Sequence, residues 1–154
     1  MNVYRFSPIQ NEEQLQKAVE YVVERTSALA EKVVGKSFPI RSLTIFSHDG
    51  GEFVKLAEIL SRWGKPYNEN NGPRVVLYEP IEVGINRIIH LRIRKPALER
   101  PQVGCGDFDT DYESFKTKYL AIHPQNLRLI QRPEYEMIEF FHPEFDVLAY
   151  VVSK

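Results

Sequence analysis

The period of the apolar pattern changes several times along the chain, and each change marks an element. Between Asn11 and Gly35 the residues Leu15, Ala18, Val19, Val22, Leu29 and Val33 recur at helical spacing, with Asn11 placed to cap the first turn and Gln14 to complete a box-like start. Gly35 stops that helix. Residues 40–48 alternate instead, with Leu43 and Ile45 on one face and Ser42, Thr44 and Phe46 on the other, which predicts a strand between two different environments. Asp49-Gly50-Gly51 breaks the strand, and Phe53, Leu56, Ala57, Leu60 and Trp63 mark one side of a second helix ending at Gly64.

The run Asn68-Glu69-Asn70-Asn71-Gly72 carries the Asn-Gly signal of a tight hairpin, so a short strand near Pro66 is expected to pair with residues 74–79, closed by Pro80. A strand over 87–94 puts Arg87, Ile89, Leu91 and Ile93 on one face, and Ile88, His90, Arg92 and Arg94 on the other. Residues 95–102 hold Pro96 and Pro101 amid charge and read as a connection between two halves. Beyond them the pattern begins again: a strand over 103–110, a helix opened by Asp111 with Phe115, Tyr119 and Ile122 on one side, then strands near 127–131 and 135–141. Residues 147–152 are β-rich and predict an eighth strand, a short terminal helix being the alternative.

The fold class predicted is α+β: two βαβββ-like modules forming a cupped mixed sheet, with an extra N-terminal helix. A single domain over 1–154 is expected, divided into a helical extension (1–36), a first module (37–95) and a second module (102–154). The chain shows no residue-level repeat, so the duplication is one of architecture.

Composition narrows the function classes. A chain that is 43% hydrophobic and 27% charged can bury a core without disulfides or structural metal. Its 20 basic and 21 acidic residues nearly cancel, so no whole-molecule field gathers nucleic acid. The single cysteine, Cys105, permits no internal disulfide and points to a reducing compartment. The first residues lack a signal-peptide pattern, and no apolar run approaches the roughly 18 residues a bilayer span needs. A cytoplasmic protein with neither nucleic-acid nor membrane partners is expected.

Gly104-Cys105-Gly106-Asp107-Phe108 with the acidic turn Asp109-Thr110-Asp111 looks like the start of the second module in the vicinal oxygen chelate (glyoxalase/dioxygenase) superfamily. Glu69-Asn70-Asn71-Gly72-Pro73-Arg74 followed by Leu77-Tyr78-Glu79-Pro80-Ile81-Glu82-Val83 is similar to the central hairpin of the small YecM-like bacterial proteins of that fold group, and Met137-Ile138-Glu139-Phe140-Phe141-His142-Pro143 resembles their last sheet strand and the segment after it. The resemblance implies metal-ligand positions near Ser42, Arg92, Cys105 and Glu139, of which Glu139 alone carries a conventional ligand and Arg92 would repel a cation.

Two functions compete. The first is a small-molecule binding or sensing domain with a largely vacated metal site and no cofactor. Its cup is lined by Ser42, Thr44, His90, Arg92, Arg94, Cys105, Asp107 and Glu139, and its ligand is polar or anionic, because arginine forks suit carboxylates and phosphates. The alternative is a lyase, isomerase or dioxygenase using one divalent metal ion on His90 and Glu139, with Cys105 or Asp107 added and Glu139 the candidate acid–base residue. Blander readings stand beside both: arginines paired with Asp107 and Glu139, a buried inert Cys105, and a structural Glu139 with Glu136 exposed on the opposite face. His48, His123 and His142 read as turn or cap residues. A protein-interaction module forming a homodimer through its sheet edges is a third function class.

Overall fold

The protein is described by a computed structural model covering residues 5–67 and 72–153. Helix α1 (Glu12–Val34) is capped as its sequence predicts: Asn11 accepts from the Gln14 amide at 2.8 Å, Gln14 reaches back to the Gln10 amide at 2.7 Å, and Gly35, at φ 82°, bonds to the Glu31 carbonyl. The first module runs β1 (Ile40–Phe46), α2 (Gly50–Trp63), β2 (Gly64–Pro66), β3 (Arg74–Val83) and β4 (Asn86–Arg94). The second runs β5 (Gly104–Phe108), α3 (Tyr112–Tyr119), β6 (Leu127–Gln131), β7 (Glu136–Phe140) and β8 (Val147–Val152).

All eight strands form one sheet in the order β2-β3-β4-β1-β5-β8-β7-β6. Within each module the first strand lies parallel to the last, β1 beside β4 and β5 beside β8, while β1 and β5 meet antiparallel at the centre. The βαβββ order is therefore repeated about the β1–β5 seam, and the sheet is cupped, mixed and not closed. Its α+β class with an added N-terminal helix is that read from the pattern, and residues 147–152 form a strand rather than a helix.

One apolar core joins the three helices to one face of the sheet, through Leu43, Ile45, Leu91, Ile93, Ile138 and Phe140. Phe140 anchors it at the α3 end, with ring centroids 5.2 Å from Phe108 and 5.4 Å from Phe115. Glycine lets α1 lie close to β5: a Cβ on Gly104 would sit 2.3 Å from the Thr44 carbonyl and 3.2 Å from Val22, and one on Gly106 would press on Thr26 at 3.1 Å. Among the described residues no helix is long and apolar enough to cross a membrane.

Three details differ from the pattern-based expectation. Pro80 does not close β3, which continues to Val83; the β3–β4 register shifts between Val76 and Ile81, so Pro80 sits where no ladder hydrogen bond asks for its missing N–H. Ile88 lies in the core with Leu91 and Ile93 instead of on the face of His90, at a level where the sheet is irregular on both sides, the β3–β4 register shifting between Val76 and Ile81 and the β1–β5 register between Ile40 and Ser42. Ile122 lies in a 3₁₀ turn after α3 and is exposed, because tightening from 3.6 to 3 residues per turn rotates it off the apolar stripe. The hairpin expected over 68–72 lies, apart from Gly72, outside the described residues.

Ahead of α1 the chain is tied down by a polar knot. Glu52, almost wholly buried in the first turn of α2, accepts from the Ile9 and His48 amides at 2.7 Å and from the Ser7 hydroxyl at 3.0 Å. The His48 ring lies 2.7 Å from Ser7 Oγ and 2.8 Å from the Gln102 carbonyl, so it links the N-terminal arm to the inter-module loop.

Candidate anion-binding face

Sheet register decides which side chains can meet on the face away from the helices. Arg74, Arg92, Thr44, Cys105 and Leu148 stand abreast across β3, β4, β1, β5 and β8. The next row is Val76, His90, Ser42, Asp107, Tyr150, Glu139 and Arg128. Arg94 stands opposite Phe46 beyond the first row. Residues two apart on a strand point the same way, so all eight residues named from the sequence share this face. Four strand spacings, roughly 19 Å along the sheet, separate His90 from Glu139.

The chain between β4 and β5 folds over the face. Arg100 from this segment lies 3.6 Å from Glu139. Arg94 has its pKa lowered by burial first, and then by the Arg100 and Arg92 charges, so three guanidinium groups crowd one region. Among the described residues, Arg92 Nε, Arg100 Nε and Gln102 Oε1 are buried without a hydrogen-bond partner. Such groups are rare because each forfeits its hydration without return.

The two carboxylates differ. Glu139 has no exposed surface and is fully engaged: Tyr150 donates at 2.6 Å, Arg128 donates from β6, and Arg100 stands nearby. Its partners come from its own module and the connecting segment, not from β4 as the paired reading expects. Asp107 is half-buried, and neither a hydrogen bond nor a close ion pair with any described residue reaches it. Burial pushes its carboxyl up to about 6, opposed by the Arg92 and Arg74 charges.

Cys105 packs with Phe46, Leu148 and Tyr150, and desolvation, then Asp107, raises its thiol to about 12, so it stays protonated. His90 is held below the usual histidine range by burial and by Arg41 and Arg74, with Tyr67 5.2 Å away between ring centroids. Glu136 does face away from Glu139, but it is half-buried rather than exposed, accepting from Tyr112 at 2.7 Å and Lys116 at 2.6 Å.

A divalent metal is the group the sequence resemblance implies, and the donors present do not fit one. The implied positions offer a hydroxyl, a guanidinium, a protonated thiol and a carboxylate already held by Arg128 and Tyr150. The alternative pair, His90 and Glu139, is too far apart to share an ion, and among the described residues no group of three or more His, Cys, Asp or Glu is placed to hold one.

Sequence reasoning passes over Arg74, Arg100, Arg128 and Tyr150. The alternation Leu148, Tyr150, Val152 puts Tyr150 on this face once β8 is accepted as a strand; Arg100, in a proline-flanked connection, carries no periodic signal. Two hollows, of about 510 and 400 Å³, lie elsewhere: one beside Trp63, Leu77 and Tyr78, the other between α1 and the β3–β4 turn. The first is lined by Arg62, Glu79 and Glu82 and the second by Glu24 and Glu31, so neither gathers several arginines as this face does.

No protein-family model and no curated protein matches the chain. A solved structure described as "Structural Genomics, Protein EC4020", the Escherichia coli YecM protein, is similar over 100% of this chain and 92% of its own, with a TM-score of 0.64 and 12% sequence identity. At that identity the likeness establishes a shared fold.

Proposed function

We propose that this chain is a small-molecule binding or sensing domain of vicinal-oxygen-chelate-like fold, whose arginine-lined face takes an anionic ligand in place of a metal. The carrying observation is the pair of buried, unpartnered Nε–H donors on Arg92 and Arg100, set among guanidinium groups that repel one another. A carboxylate or phosphate is acceptor-only, matches the guanidinium fork, and both partners such a donor and offsets the repulsion among the guanidinium groups. The βαβββ repeat supports the superfamily reading; the donor set supports a binder over a metal-dependent lyase, isomerase or dioxygenase.

Calorimetric titration with succinate and with inorganic phosphate tests the proposal. At least one of them is expected to bind, and Arg92→Ala to weaken it by roughly 10- to 100-fold, the worth of one or two charge-assisted hydrogen bonds. Arg62→Ala, on the helix side of the sheet, is expected to leave binding unchanged. Binding by neither probe, or equal binding by the Arg92 variant, contradicts the proposal.

A further inference from the structure

We infer that the anion taken by this face also carries a hydrogen-bond donor, a hydroxyl or an ammonium group close to its carboxylate or phosphate, and that Asp107 accepts it. The inference rests on the anion-binding reading above and adds the class of ligand.

The face presents unused groups of both polarities. The donors are Arg92 Nε and Arg100 Nε; the acceptor is the Asp107 carboxylate. A plain anion satisfies the donors alone and would bring a second negative charge toward Asp107. An ionised carboxylate only accepts, so Asp107 fixes the sign of what it meets.

Geometry sets the spacing. Asp107 on β5 stands one row from Arg92 on β4, with β1 between them, which places their Cα atoms roughly 12 Å apart for strands about 4.8 Å apart and a two-residue step of about 6.7 Å. Side chains stand roughly perpendicular to a sheet rather than pointing along it, so the two charged groups stay separated by a span that one small molecule hydrogen-bonded at both ends can fill. The Arg92 charge reaches the Asp107 carboxyl without forming an ion pair with it, as an intervening gap requires. Ser42, opposite Asp107, and Thr44, opposite Arg92, line the floor with hydroxyls that suit a polar occupant. Burial that raises the Asp107 carboxyl toward neutrality is relieved when a donor hydrogen-bonds to the ionised form.

Succinate and malate differ by one hydroxyl and serve as the matched probes. Calorimetry at pH 7.5 is expected to show one enantiomer of malate binding at least about tenfold tighter than succinate, as a hydrogen bond to a charged acceptor allows. Asp107→Ala is expected to bring the two affinities within about threefold of each other. Equal binding of succinate and both malates by the wild-type protein overturns this inference and leaves the anion-binding reading standing. A malate preference that survives Asp107→Ala overturns the role of Asp107. Binding of none of these probes, nor of phosphate, overturns the anion-binding reading itself.

Discussion

Glu139→Ala is expected to destabilise the fold by about 3 kcal/mol, near the lower bound for breaking a buried ion pair, and to lower the thermal midpoint by roughly 10 °C for a chain of this length. The carboxylate has no exposed surface, and its removal strands the Tyr150 hydroxyl in the β7–β8 pairing and releases Arg100. The lower bound applies because Arg128, more than half exposed, regains water once its partner is gone. Glu139→Gln keeps an acceptor for Tyr150 and is expected to lose about half as much. Thermal denaturation followed by far-ultraviolet circular dichroism checks both; an alanine variant melting within about 2 °C of wild type would mean that the β6–β7–β8 network holds nothing together.

Asp107→Asn is expected to act in the opposite direction. A carboxyl whose pKa is about 6 in the folded protein, against about 3.8 when unfolded, binds protons more tightly when folded, so ionising it costs stability. The penalty is absent below the unfolded value, grows as pH rises from about 4 to 6, and is complete above that. Fully expressed, a difference of roughly two pH units is worth about 3 kcal/mol, and partial solvent contact reduces that to roughly 1–2 kcal/mol. Urea denaturation at pH 8 should show the asparagine variant more stable by that amount, with the two proteins converging at pH 4. Equal stability at pH 8 would place Asp107 in water rather than in a desolvated hollow. A residue that costs stability where it stands is common at binding sites, where function constrains the choice.

The sheet is legible because its signals are local and redundant. Asn11, Gly35 and Asp111 fix helix ends through caps that any sequence window reveals, and the alternation through Ser42, Thr44 and Phe46 survives in β1. Alternation alone puts Ile88 on the wrong face, because the sheet is irregular around it in both the β3–β4 and the β1–β5 pairing and no residue of β4 announces it. The face itself emerges from the alternation, but the partnerships on it do not. Glu139 can be placed beside β4 only as long as strand order is open; the order β4-β1-β5-β8-β7 sets it beside Arg128 and Tyr150 instead. Arg100 is illegible for another reason: a connecting segment has no period, and its reach over the sheet is a product of tertiary packing.

The resemblance to metal-dependent proteins and the chemistry of the face part company at Arg92. A guanidinium where a ligand would stand repels a cation and attracts the negative group that the metal would otherwise have held. Under the function proposed above the cup exchanges the sign of its contents, a reading that the protonated Cys105, the engaged Glu139 and the unpartnered arginine donors support.

Amide chemical-shift mapping of the isotope-labelled protein during titration with malate tests that exchange most directly. Shifts concentrated at Thr44, Arg92, Arg100, Cys105 and Asp107, on the helix-free face and the segment that crosses it, are the expected result. Shifts gathered instead around the hollow beside Trp63, Leu77 and Tyr78, or none at millimolar ligand, would contradict an anion site on the arginine face.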